Sequence, residues 1–183
     1  MNVKNMVAKI KLHHMKNRLE SPTFEFPSAL NKPKQILVCL PRGFKELTLV
    51  KQFLPTITEL FKPAEITLLS MPGVRVKDIY PRKGFNILSP SPDMVGWAGL
   101  PNKQYIRILK DCKIDLVLDL NFGYSNFISG VLLSFPEAIR IGKGNHLGEP
   151  YYNLEIKTKY LRDERNIYRS LFEILNTLKG SRN

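Results

Sequence analysis

A recurring unit constrains this chain more than anything else in it: a short, unbroken apolar run, then a turn, then a stretch with helical periodicity. The runs are Gln35–Leu40 (QILVCL), Glu65–Ser70 (EITLLS), the shorter Phe85–Leu88, Ile114–Leu120 (IDLVLDL) and Ala138–Gly142 (AIRIG). Continuous apolar runs of this length predict strands covered on both faces. Between them, Glu46 to Phe61 places Leu47, Val50, Phe53, Leu54, Ile57, Leu60 and Phe61 on one helical face. Pro55 lies inside that pattern, which predicts a kink or a break. Asn102 to Cys112 reads as a short helix with Ile106 and Leu109 inward. Ser125 to about Phe135 reads as another, with Ser125 as its N-cap. Asp163 is placed to cap a final helix carrying Ile167, Leu171, Ile174, Leu175 and Leu178. Strands alternating with helices predict an α/β, Rossmann-like parallel sheet with right-handed crossovers.

The first 34 residues read differently. Lys4, Lys9, Lys11, Lys16 and Arg18 all precede the first acid, Glu20, and Val3, Met6, Val7 and Ile10 recur at helical spacing. This predicts a basic helix, followed over Ser21 to Pro33 by a linker with three prolines. The helix can lie on an anionic membrane or pack against the body of the domain. The organisation expected is thus residues 1–34 as helix and linker, and 35–183 as one α/β domain. The 183 residues are enough for one domain with a substantial core and too few for two large ones.

Charge narrows the partners. Lys and Arg number 28 against 16 Asp and Glu, a formal charge of +12, and such a surface favours anions. No apolar run reaches the roughly 18 residues of a membrane span, and no signal peptide is evident. A cytoplasmic protein resting at the inner face of a membrane is the expectation. Cys39 and Cys112 form no CxxC pair and read as buried thiols. His13, His14 and His146 have no partners at metal-binding spacing, so neither metal nor cofactor is expected. The segment Pro41-Arg42-Gly43-Phe44-Lys45 is neither a dinucleotide fingerprint nor a P-loop. No basic cluster with interleaved aromatics marks a strand, which argues against nucleic acid.

In an open α/β sheet, ligands bind outside the carboxyl ends of the strands. Those ends lead into loops 41–45, 71–84, 89–101, 121–125 and 143–152. The candidate anion-binding residues there are Arg42, Gly43 and Lys45 after the first strand, and Arg75, Lys77, Arg82 and Lys83 after the second. Asn121 follows the fourth, and Lys143 and His146 follow the fifth. If they converge, Arg42, Lys45, Arg75, Lys77, Arg82 and Lys83 ring one anion site.

Two stretches resemble a known family. Ile36-Leu37-Val38-Cys39, the loop 41–45 and a helix lead to Ala64-Glu65-Ile66-Thr67-Leu68-Leu69. Ile114-Asp115-Leu116-Val117-Leu118-Asp119-Leu120 leads through a helix to Arg140-Ile141-Gly142, and Tyr151-Tyr152-Asn153 follows. In order and spacing, over residues 35–178, this resembles glycosyltransferase family 9, the lipopolysaccharide heptosyltransferases. The resemblance implies one half of a GT-B glycosyltransferase, the N-terminal half that holds the sugar acceptor. It also implies a carboxylate base in the first loop, a position that Glu46 takes here, with Lys45 replacing the preceding glycine.

The family's Asp-[Ser/Thr]-Gly-x-x-His signature of the donor-binding half is absent. The expectation is an acceptor-half domain that binds a phosphorylated saccharide or glycolipid. It would not be catalytic alone and would depend on a separate donor-domain protein for transfer. The alternative is a non-enzymatic module docking on a membrane surface, nucleic acid or protein.

Overall fold

In the computed structural model, which describes residues 3–80, 84–144 and 147–180, six parallel strands form one sheet in the order β3-β2-β1-β4-β5-β6. The strands are β1 (Gln35–Cys39), β2 (Glu65–Leu69), β3 (Asn86–Leu88), β4 (Leu116–Asp119), β5 (Ile139–Lys143) and β6 (Leu154–Ile156). The helices are α1 (Val3–Asn17), α2 (Phe44–Phe61), α3 (Lys103–Asp111), α4 (Asn126–Leu133) and α5 (Glu164–Gly180). The expected Rossmann-like parallel sheet is therefore present.

Alternate residues of each strand feed two cores. Ile36, Val38, Leu68, Leu116, Leu118 and Ile141 pack under α2 and α5. Leu37, Cys39, Leu69 and Val117 pack under α1, α3 and α4. Side chains alternate across a strand, and here both sets are apolar because both faces are covered. The chain winds outward from β1 to β3 on the first face and from β4 to β6 on the second. The winding direction reverses between β1 and β4, the place where open sheets of this order bind ligands.

Ser125 accepts from the Ile128 N–H at 3.3 Å, and Asp163 accepts from the Asn166 N–H at 3.1 Å, so both caps are made as expected. The third helix begins one residue later than its pattern suggests, because Asn102 is its cap and accepts from the Tyr105 N–H at 2.8 Å. Tyr105 and Leu109 are its buried residues, while Ile106 is half-buried.

Of the kink or break expected at Pro55, the break does not occur: α2 runs through it as one helix. Pro55 and Lys51, whose carbonyl loses its intrahelical donor, both lie on the exposed side, where water can satisfy that carbonyl. α1 packs against the body of the domain, as one of the two readings of its sequence has it, but Val3, Met6 and Ile10 stay exposed. Ala8 and Leu12 are the buried residues, with Met15 and Leu19 beside them in the second core. β6 is an addition to the five strands expected; three residues at a sheet edge carry too little pattern to be seen.

Arg140 on β5 is 1% exposed and has no carboxylate among its partners. Its Nε donates to the Tyr151 carbonyl at 2.9 Å. Nη1 donates to the Phe135 and Pro136 carbonyls at 2.7 and 3.0 Å, and Nη2 to Ser21 Oγ and the Pro150 carbonyl at 2.8 and 3.2 Å. The guanidinium is a fixed fork of five donors, and each finds an oxygen. Desolvation lowers its pKa from the ordinary value. One side chain thus joins the segment after α1, the α4–β5 turn and the β5–β6 connection. Lysine cannot reproduce a planar five-donor fork. Arg140→Lys should therefore strand several buried carbonyls and cost more than about 3 kcal/mol in urea unfolding, at roughly 1–3 kcal/mol per orphaned group. A loss below about 1 kcal/mol would mean the carbonyls find other donors.

Candidate functional site

A hollow of about 780 Å³ opens at the reversal point between β1 and β4. Its walls come from the loop after β1 (Pro41, Arg42, Gly43), the loop after β2 (Met71, Pro72) and the segment after β4 (Asn121 to Phe127). Asn5 and Lys9 of α1 contribute from above, and Glu164 and Tyr168 of α5 from the side. Glu46 lies in the first turn of α2 and lines the same hollow.

The wall after β4 is held by a buried carboxylate. Asp119 is fully buried. Its Oδ1 accepts from the Asn121 N–H at 3.0 Å and from Asn121 Nδ2 at 2.8 Å, and its Oδ2 accepts from the Tyr152 hydroxyl at 2.7 Å. Burial, reinforced by the Asp119 charge, pushes the Tyr152 phenol far above its usual pKa, so it remains a donor. The ring of Tyr152 occupies the space where a Cβ on Gly142 would stand. The same burial, again with Asp119, raises the Cys39 thiol well above its ordinary pKa, which keeps it protonated and a poor nucleophile.

The turn then runs Phe122-Gly123-Tyr124 into α4. Phe122 stacks on Tyr168 with ring centroids 4.7 Å apart, and the Tyr168 hydroxyl donates to the Leu120 carbonyl at 2.8 Å. Asn126 donates to the Ala98 carbonyl at 3.3 Å, tying this wall to the loop 95–99. Across the hollow, the carboxylate of Glu46 folds back over Gly43 and fills the position of a Cβ there. A side chain at 43 would expel it.

The sequence candidates divide. Arg42, Gly43, Glu46 and Asn121 are brought together around the hollow. Lys45 is not: its Nζ reaches 3.0 Å to Glu164 Oε2 on the α5 side. That hydrogen bond, with the Glu164 charge, raises the Lys45 pKa. Arg75 and Lys77 are exposed on the loop after β2 and do not line the hollow. Lys143 sits with its Nζ 5.9 Å from the Phe122 ring centre, outside the lining. Arg82, Lys83 and His146 lie outside the described residues. Among the described residues the six-cation ring does not close around one hollow. Two cations, Arg42 and Lys9, face two carboxylates, Glu46 and Glu164.

Asn5, Lys9, Glu164 and Tyr168 were not among the sequence candidates. They lie on helices far from the strand ends in sequence, and only the packing of α1 and α5 brings them there. No group of three or more His, Cys, Asp or Glu that could hold a metal occurs among the described residues. No described helix is long and apolar enough to cross a membrane.

No family model matches the chain, and no curated protein matches it by sequence. Among solved structures it is similar to E. coli heptosyltransferase WaaC with ADP, with a TM-score of 0.54 and 14% sequence identity. The match covers 76% of this chain and 46% of that one. The chain shares a glycosyltransferase's fold. It spans about half the length of that neighbour.

The motif residues meet in this wall: Asp119 closes the β4 run, Gly142 admits the Tyr152 ring, and Tyr152 completes the carboxylate's shell. Tyr152→Phe should cost about 1–3 kcal/mol, the scale of a lost buried hydrogen bond to a charged group. Gly142→Ala should cost at least as much, because it evicts the same ring. In urea unfolding the double variant should cost little more than Gly142→Ala alone, since both changes break one interaction. Simple additivity would show that Gly142 and Tyr152 act independently.

Proposed function

We propose that this chain is an acceptor-side domain of the heptosyltransferase type, which binds a phosphorylated saccharide or the headgroup of a glycolipid in the hollow between β1 and β4. The observation that carries this reading is that Arg42 and Glu46 line one hollow at the reversal point of the sheet. The neighbour's fold and the order of the motifs support it.

The hollow suits a polar ligand carrying one anionic group. α2 and α4 both begin at its edge, and helix N-termini present unpaired N–H groups and the positive end of the dipole. Arg42 adds a charged fork for phosphate, and Lys9 adds a second cation. Asn5, Tyr124 and Asn126 supply polar groups for hydroxyls, and Phe122 and Tyr168 give an apolar floor. In this reading Glu46 is the group that takes a proton from an acceptor hydroxyl. Transfer itself would need a nucleotide-sugar donor, bound elsewhere than on these residues or by a partner chain.

Mannose 6-phosphate, mannose and inorganic phosphate, titrated by calorimetry, test the reading. The phosphorylated sugar should bind more tightly than either fragment. Arg42→Ala should weaken it by about 1–3 kcal/mol, the scale of a charged hydrogen bond. Arg75→Ala should leave it unchanged, because Arg75 is exposed on the loop after β2 and does not line the hollow. Equal losses in the two variants would reduce the effect to diffuse surface charge. An ADP-sugar that competes for Arg42 would reassign the hollow to a nucleotide.

A further inference from the structure

We propose that the outward face of α1, with Trp97 beside it, is an interfacial surface that seats the mouth of the hollow on an anionic lipid bilayer. Its helix lies outside the stretch that carries the family resemblance, and the proposal stands whether or not the hollow takes a saccharide.

The helix has two apolar sides. Ala8 and Leu12 are spent on α4 and the second core. At about 100° per residue, Val3, Met6 and Ile10 fall within about 60° of one another on the opposite side. They are exposed to 58%, 42% and 51%. A row of large apolar side chains facing water has no purpose in the folding of the chain, because the helix already has its packing face. Lys4 and Lys11 flank the row on one side and Lys9 on the other, and the sequence of α1 contains no acid. Apolar centre, basic flanks and no carboxylate are the pattern of a helix lying in the headgroup plane, its lysines reaching up to phosphate.

The rest of the surface agrees. Trp97 is 61% exposed, and Lys4 Nζ lies 5.7 Å from its ring centre, so the ring adjoins α1. Tryptophan is favoured where one end of a side chain is apolar and the other wet. Tyr124, on the lining of the hollow, is also exposed. Since Asn5 and Lys9 of α1 line the hollow, the helix and the mouth share one side of the molecule. The formal charge of +12 completes the complementarity with an anionic surface.

Trp97 is the sole tryptophan, so its emission reports on this surface alone. The full chain would be mixed at low salt with phosphatidylcholine vesicles, with and without phosphatidylglycerol. The expected result is co-sedimentation and a blue shift only with the anionic vesicles. The M6E/I10E variant should bind at least about tenfold more weakly, given the apolar area withdrawn, while keeping the parent's thermal unfolding. Leu161→Glu is the control: Leu161 is 84% exposed but lies on the segment before α5, and its change should do nothing. Absence of binding to anionic vesicles overturns the proposal, as does equal weakening by Leu161→Glu. Retention on RNA in place of vesicles, unaffected by M6E/I10E, would overturn it too. The vesicles carry no saccharide, so failure here and failure of the acceptor reading are separate results.

Discussion

The geometry of the hollow depends on one buried carboxylate. A charge out of contact with water must be met by hydrogen bonds or it destabilises the fold by several kcal/mol. Asp119 at the end of β4 meets this demand with the first polar groups of its own loop and with Tyr152 from beyond β5. The loop therefore cannot leave the strand in another direction. Because Phe122 to Asn126 follow directly, the far wall of the hollow is set by a residue that does not touch it. Tyr152 in turn can reach only across a glycine, and the segment carrying it is held by the Arg140 fork. Strand end, opposite strand and connection form one rigid unit.

Much of this was legible in the sequence. Parallel strands buried on both faces leave unmistakable apolar runs, and their alternation with helices dictated the sheet and the side on which the hollow opens. What escaped has physical causes. α1 offers two apolar rows, and the sequence pattern favours Val3, Met6 and Ile10. The other row wins because Ala8 is small enough for close approach to α4. Lys45 and Glu46 are neighbours in sequence, yet successive helical residues point about 100° apart. One pairs with Glu164 of α5, and the other folds back over Gly43. The contributions of α1 and α5 depend on tertiary packing that no local pattern encodes.

The resemblance carried by the motifs has acquired a different meaning. Asp115 accepts from the N–H groups of Lys34 and Gln35 at 2.8 and 2.9 Å and so anchors the start of β1. Asp119, Arg140, Gly142 and Tyr152 build the wall. These residues hold the architecture around the hollow, whereas Arg42, Glu46 and Lys9 line it. Nor is the surplus of positive charge gathered in the hollow, where cations and carboxylates balance.

The two outermost strands, β3 and β6, are three residues each. A strand border exposes a ladder of unpaired donors and acceptors that another chain can extend, and short borders offer the least of it. A protein that leaves apolar side chains in water on one helix runs a risk of self-association, and the risk grows when backbone can zip to backbone. With both ends of the sheet cut short, any sticking through α1 has no strand to propagate it, so contact between copies stays a matter of side chains and remains reversible.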